Sequence, residues 1–403
     1  MSEARQAGPE LGERRMRKKT ILCFTSYYLP GFKNGGPVRS LLNMCQWLGE
    51  EYSIRVVTRD RDRGDTRAYE GHMPEHWHEV DGTQVWYLRI PYWSPWRFRR
   101  VVMETSPDLL YFHSFQDPAL TIMPLALRRL GLLPRTIPVL VAPRGEFSPG
   151  ALSLKRTKKL AYLHASKWLG LYRNVKWHAT SPEEESLIRV WWGVHARVAM
   201  AGNLPAKADE VEAECRMPKQ AGILHLVFLS RISPKKNLSA ALELLAEVKG
   251  QVIFDIYGPT EDKGYWDKCQ SLIATLPRNI EVSYKGCVRP EDVISTLSRY
   301  DALFFPTLGE NFGHVIFEAL LAGCALLLSD QTPWRDLPEK QIGFDLPLNR
   351  PARFIEAIQQ FAAMDDREFK IWSSKAREYG TRLSKNPDAL CATRALLDGA
   401  MRK

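Results

Sequence analysis

The chain has 403 residues, more than one ordinary hydrophobic core accommodates, so two domains are expected. It is 45% hydrophobic and 25% charged, the balance of a globular protein, and no apolar run reaches the ~18 residues of a membrane span. The formal net charge of +10 is lopsided: residues 1–200 carry 30 Lys and Arg against 19 Asp and Glu, residues 201–403 carry 26 against 27. This asymmetry points to an anionic partner for the first half, and nucleic acid, an anionic membrane surface and phosphorylated substrates all fit it.

Residues 1–19, "MSEARQAGPELGERRMRKK", are polar and basic, without the apolar centre of a signal peptide. A disordered tail on a cytoplasmic protein is expected. "KTILCFTSYYLP" reads as a buried strand ending at Pro30-Gly31, followed by the glycine loop of "GFKNGGPVRS" and a helix with Leu41, Leu42, Met44, Cys45, Trp47 and Leu48 on its apolar side. "SIRVVTRD" completes a βαβ unit. "TQVWYLRI", "PDLLYFHS", "IPVLVAPRG", "NVKWHA" and "ARVAMAG" continue the alternation.

Residues 205–221 are polar and read as a linker. The alternation restarts with the strands "LHLVFLSRI", "QVIFDIYGP", "IEVSYKG", "ALFFP" and "ALLLSD", separated by helical stretches, and helices near 352–364 and 386–401 close the chain. Short apolar strands between helices indicate two parallel α/β sheets, with ligands expected in the cleft at their carboxyl edges. The seven cysteines are scattered without CxxC spacing, so reduced core residues are expected and no metal site.

Two loops after strands carry the chemistry. Arg231, Lys235 and Lys236 lie within six residues directly after a strand, which suits a diphosphate, although an exposed charged loop is the alternative. "TLGENFGHVIFEALLAG" places glycines at 309 and 313 before a helix whose free amides and positive dipole end can seat a phosphate. Glu310 precedes that helix and Glu318 lies inside it. An unpartnered buried carboxylate is costly, so Glu318 needs a partner. A vicinal diol such as ribose fits, and a neighbouring lysine or backbone donor is the alternative.

Residues 224–334 resemble the donor half of the retaining glycosyltransferases of the large group 1 type (family four), which have the GT-B architecture. The matching segments are "FLSRISPKKNL", "FDIYGP", "YKGCVRPEDV", "YDALFFPTLGENFGHVIFEALLAGCALLLSD" and "TPW", with "NGGPVRS", "PDLLYFHS", "APRGEFSPGAL" and "HATSPEEES" more loosely in the first half. The resemblance implies two Rossmann-like doubly wound parallel-sheet domains facing each other across a cleft. The expected divisions are an N-terminal acceptor-side domain (20–204), the linker (205–221), a C-terminal donor domain (222–380) and a final helix (381–403) packing back on the first domain.

By position, Arg231 and Lys236 resemble the diphosphate-binding pair, and Glu310 the glutamate that contacts the donor sugar. Phe312, Gly313, His314 and Val315 correspond to the loop whose amides meet sugar or phosphate. Glu318 resembles the ribose-binding glutamate, and Gly35 and Gly36 the glycine loop of the first domain. Relatives carry a histidine where this chain has Arg144, so Arg144 and His113 are candidates for acceptor or sugar contact, with a structural role for His113 as the alternative. Ala325 replaces the usual proline.

The implied activity is retaining transfer of a hexosyl unit from a UDP- or GDP-linked sugar to a glycan or a lipid-pyrophosphate-linked acceptor, in cell-surface polysaccharide biosynthesis. Front-face attack needs no protein nucleophile, and no cofactor and no metal are expected. The Asp60-x-Asp62 pair, flanked by arginines, reads as a solvated loop. Residues 152–177 mix leucines and Trp168 with Lys155, Arg156, Lys158, Lys159 and Lys167 and could lie on an anionic membrane surface, as could the aromatics and arginines of 91–102; a helix with its apolar side in the core is the alternative. The protein would then be peripheral on the inner face of the cell membrane. Other readings are a phosphorylase or epimerase of similar architecture, a basic nucleic-acid-binding protein, and a non-catalytic sugar-nucleotide binder. Glu310 and Glu318 find no role in nucleic-acid binding, so no nucleic-acid partner is expected.

Overall fold

Alternation along the first strand decides how the N-terminal half packs. In β1 (Thr20–Phe24), Ile21 and Cys23 join the core on one side of the sheet, and Leu22 and Phe24 join the core on the other. A strand buried on both faces is what a parallel sheet requires. The computed structural model describes residues 17–89, 94–148, 151–152, 156–207 and 218–402. The expected tail up to residue 16, Tyr92 and Trp93 of the first aromatic stretch, Lys155 of the basic stretch, and residues 208–217 of the linker, with Cys215, lie outside the described residues.

The first sheet adds β2 (Ser53–Arg59), β3 (Trp77–Val80), β4 (Thr83–Leu88), β5 (Leu109–Phe112), β6 (Val139–Val141), β7 (Lys176–Ala179) and β8 (Val198–Met200). Its order is β3-β4-β2-β1-β5-β6-β7-β8. Every pairing is parallel except β3 with β4, an edge hairpin that the sequence reading did not anticipate. Its turn is Asp81-Gly82, both with positive φ, the backbone that a two-residue hairpin loop needs.

The second sheet contains β9 (Ile223–Leu229), β10 (Gln251–Tyr257), β11 (Ile280–Gly286), β12 (Ala302–Phe305), β13 (Ala325–Ser329) and β14 (Gly343–Leu346) in the order β11-β10-β9-β12-β13-β14. In both sheets the strand order reverses beside the first strand. Those switch points are where an open α/β sheet leaves a crevice at its carboxyl edge.

Two helices tie the architecture together. The helix Asp366–Ser384, also not anticipated, starts with a reciprocal capping box between Asp365 and Glu368. Phe369, Trp372, Ala376, Tyr379 and Leu383 form its apolar stripe against the second core. It lies so close to the helix His314–Ala322 that a Cβ on Gly380 would sit 2.9 Å from the Leu320 carbonyl carbon and the Leu321 nitrogen. Arg377 Nη2 donates to the Ala322 carbonyl at 3.0 Å, satisfying one of the carbonyls at the end of that helix. The last helix, Asp388–Met401, returns to the first sheet, where Leu396, Leu397 and Ala400 enter the core beneath β1 and Asp398 pairs with Lys19 at 2.8 Å.

Cys23, Cys45, Cys269 and Cys324 are buried free thiols, whereas Cys287 and Cys391 are exposed. Gly380→Ala is expected to lower stability by about 1–3 kcal/mol, the usual range for overpacking, because the clash is with backbone that cannot rotate away. Chemical denaturation followed by tryptophan fluorescence measures it; an unchanged midpoint would mean that the two helices separate freely.

Candidate functional site

Loops leaving the switch-point strands converge on one cleft of about 300 Å³. After β9 the chain turns through a short 3-10 segment, Pro234–Lys236, into the helix Leu238–Leu245. The loop after β12 is fastened to it: Leu308 N donates to the Lys235 carbonyl at 2.9 Å, and Asn237 Nδ2 donates to the Pro306 carbonyl at 2.9 Å. The two predicted binding loops therefore form one unit.

On this unit Lys236 forms an ion pair with Glu310, and both side chains are nearly buried. Burial pulls the Lys236 ammonium down from its ordinary range, and Glu310 opposes that shift. Arg231 pairs with Glu261 at 3.2 Å, and Arg63 of the first domain reaches the same carboxylate at 3.4 Å. Gly313, at φ 75 and ψ 69, caps the helix His314–Ala322 from the left-handed region, which glycine enters without strain. The Phe312 carbonyl accepts from Trp334 Nε1 at 2.6 Å, so the "TPW" segment fixes the entry to that helix.

Glu318 is 5% exposed, as its place in an apolar helix suggested, and its partner is Arg39. Arg39 Nε lies 2.7 Å from Glu318 Oε1, and Arg39 Nη2 donates to the Pro290 carbonyl at 2.8 Å. Arg39 stands in the first turn of the helix Gly36–Leu48, so one ion pair bridges the two domains. Sequence reasoning missed Arg39. The signal was a cation at the positive end of a helix dipole, which calls for a carboxylate from elsewhere. One turn along the interface, Ser40 Oγ and His314 Nε2 share a hydrogen bond of 2.8 Å. Burial, reinforced by Arg39 and Arg144, pulls the His314 imidazole down to about 3, so it is neutral at physiological pH.

Gly35, Gly36, Phe312, Gly313, His314, Val315 and Arg144 line the same cleft as Arg231, Lys236, Glu310 and Glu318. Cys287, Val288 and Pro290, after β11, also line it. His113 does not line the cleft. It is buried behind Arg144 and its Nδ1 accepts from Arg144 Nη2 at 3.2 Å, so it supports the site from behind. A chain of hydrogen bonds joins the walls: Asn311 Nδ2 to Thr180 Oγ1 at 2.6 Å, Thr180 Oγ1 to Glu184 Oε2 at 2.6 Å, and Gly145 N to Glu184 Oε1 at 2.6 Å.

The expectation of a solvated Asp60–Asp62 loop is corrected. The two residues are 2% and 5% exposed. Asp60 pairs with Arg61 at 2.9 Å. Asp62 accepts from the amides of Phe32 and Lys33 at 2.8 and 3.1 Å, so it shapes the glycine loop that lines the cleft.

Residues 218–379 match the model of the family described as glycosyl transferases group 1, and residues 35–203 match the model described as a glycosyl transferase 4-like domain. Solved structures that the chain resembles include WaaG, a glycosyltransferase involved in lipopolysaccharide biosynthesis, at TM-score 0.63 and 12% identity over 93% of this chain and 98% of that one. The sucrose-phosphate synthase of Thermosynechococcus elongatus superposes at TM-score 0.67 with 14% identity, over 94% of this chain and 98% of that one. HepE of Anabaena, in complex with UDP and glucose, superposes at TM-score 0.63 with 16% identity, over 94% and 99%. No curated protein sequence matches the chain. At these identities the structural likeness speaks for the fold, and the two family matches speak for the lineage. With both halves matched in order and the GT-B fold spanning the whole, the chain belongs to the group 1 glycosyltransferases.

Proposed function

We propose that this glycosyltransferase moves a hexosyl unit from a nucleotide diphosphate sugar to a hydroxyl of a glycan or lipid-linked acceptor, with retention at the anomeric carbon and without a metal. The observation that carries the reading is the convergence of Arg231, Lys236, the Gly313 helix start and Glu318 in one cleft. The diphosphate would lie between the two cations and the helix amides. Glu318, its charge compensated by Arg39 through one oxygen, would accept ribose hydroxyls with the other. Lys236 would turn from Glu310 to the diphosphate, releasing Glu310 to hold the sugar.

In that arrangement the bond from the anomeric carbon to the phosphate oxygen breaks, and its electron pair leaves with the diphosphate. The acceptor oxygen attacks the same face, and its proton passes to the departing phosphate oxygen. Fixed cations and helix amides aimed at the charge that develops are the strongest form of stabilisation an active site offers. HepE of Anabaena has been captured with UDP and glucose, which supports a uridine diphosphate sugar as the first donor to try. WaaG acts in lipopolysaccharide biosynthesis, which supports cell-surface glycan assembly as the setting.

An anionic membrane surface is proposed as a further partner. Among the described residues no helix is long and apolar enough to cross a membrane. The helix Arg156–Trp168 turns Leu160 and Leu163 to the core, so the leucine stripe expected from the sequence is covered. Its end supports contact instead: Trp168 is 87% exposed, beside exposed Lys167 and Leu169. Arg129 Nε donates to the Leu169 carbonyl at 3.3 Å, and Trp96, 73% exposed, shares a small hollow with Arg99 and Leu132. Exposed aromatics interleaved with cations suit a lipid interface.

Two outcomes are expected. In excess chelator, the wild-type chain binds UDP or GDP about tenfold more tightly than the 2′-deoxy form, the worth of one hydrogen bond to a charged group. In Glu318→Ala that difference disappears. Calorimetry reads both, and equal wild-type affinities or a requirement for added metal would contradict the proposal. Separately, the protein should float with vesicles of phosphatidylglycerol and less so after Trp96→Ala and Trp168→Ala together; wild-type protein left behind at low salt would rule the membrane surface out.

A further inference from the structure

The cleft cations come with their own counter-ions, with an informative exception. Arg39 has Glu318, Lys236 has Glu310, Arg231 has Glu261, and Lys33 has Asp65. Among the described residues no carboxylate lies within ion-pair reach of Arg144. Its guanidinium meets neutral acceptors: Nη1 donates to Asn203 Oδ1, and Nη2 donates to His113 Nδ1 at 3.2 Å and to the Tyr111 hydroxyl at 3.5 Å. Arg144 Nε is buried and has no partner. Lys235, the other cleft cation without a carboxylate, is exposed, and water compensates it.

The surroundings of Arg144 are built for a positive charge. Tyr111 gives its proton to His178 Nδ1, because His178 Nε2 donates to the Ala201 carbonyl at 2.8 Å, so the Tyr111 oxygen presents a lone pair to Arg144. Burial first, and the Arg144 charge second, hold His113 and His178 well below the ordinary histidine range, so both are neutral. Arg144 itself stands at φ 53, a left-handed backbone that a residue with a long side chain rarely adopts. Strain of this kind persists where the surroundings over-determine it, and here Gly145 is pinned by Glu184. A partly buried cation held without a counter-ion is one whose charge a ligand can compensate.

Position decides which part of the ligand that is. Arg231 and Lys236, assigned to the diphosphate, follow β9 of the second sheet, whereas Arg144 follows β6 of the first. Glu318 and Arg39 stand at the ribose end. Arg144 is coupled through Gly145, Glu184 and Thr180 to Asn311, the residue after Glu310, and Glu310 is the residue assigned to the transferred sugar. We infer that Arg144 binds a carboxylate on the transferred sugar, and that the donor is a nucleotide diphosphate uronic acid. This rests on the donor reading above. An anion on the acceptor is the other source of the same chemistry, and the comparison of donors separates the two.

The experiment is calorimetric titration of the intact chain with UDP, UDP-glucose, UDP-glucuronate, UDP-galactose and UDP-galacturonate, and with GDP, GDP-mannose and GDP-mannuronate. The uronate is expected to bind at least about tenfold more tightly than the hexose on the same nucleotide, as befits a charge-assisted pair. In Arg144→Gln that advantage is expected to vanish. Equal binding of hexose and uronate by the wild-type chain overturns the inference and leaves Arg144 to an acceptor anion, and an advantage that survives in Arg144→Gln overturns the role of Arg144. If no nucleotide or nucleotide sugar binds at all, the donor reading itself fails. Should Arg144→Gln not fold, the wild-type comparison decides alone.

Discussion

The Arg39–Glu318 pair is the contact on which the site depends. It joins a helix start in the first domain to the interior of a helix in the second, with both side chains largely withdrawn from water. Two largely buried ions gain little stability from each other once desolvation is counted, but either one alone would be costly. The pair therefore fixes geometry more than it stabilises the fold. It sets which face of the Gly36–Leu48 helix meets the His314–Ala322 helix, and the Ser40–His314 hydrogen bond follows from that register. Lys236 and Glu310 form a second nearly buried pair, this one within the second domain. On the proposed reading Arg39 keeps its hold on Glu318 while a donor draws Lys236 away from Glu310, so the rearrangement of charge on binding centres on that lysine.

Around those pairs, loops are held by buried carboxylates whose partners are backbone amides. Asp62 holds the glycine loop through Phe32 and Lys33, and Glu184 holds the Arg144–Gly145 turn through Gly145 N while reaching Thr180. Trp334 fixes the Phe312 carbonyl, and Gly380 lets a second helix press directly on the backbone that carries Glu318. Precision in the cleft is thus supplied by side chains that never reach its surface.

Much of this was legible in the sequence. Five of the six strands of the second sheet, β9 to β13, were legible as apolar runs, β12 and β13 as wholly buried ones, whereas the short edge strand β14 was passed over. Glu318 stood out because a carboxylate in "VIFEALL" contradicts its surroundings. What was hidden is the chemistry of long-range pairing. Arg39 precedes Glu318 by 279 positions, and nothing local ties them. Asp60 and Asp62 looked like solvent-facing residues because arginines flank them, whereas Asp62 spends its oxygens on amides of a loop that the sequence leaves unpaired. Arg144 looked like a substituted histidine; its neutral acceptors are Tyr111 and His113 at the end of β5 and the distant Asn203. The Asp366–Ser384 helix was passed over because its apolar stripe is narrow in a polar stretch, although its capping box was in plain view.

The most direct measurement is a crystal structure of the chain with a nucleoside diphosphate, grown in chelator. The account predicts the diphosphate against Arg231, Lys236 and the amides following Gly313, the ribose on the free oxygen of Glu318, and Arg39 still on the other. A nucleotide bound outside this cleft, or one bound within it while Lys236 stays locked to Glu310, would contradict it.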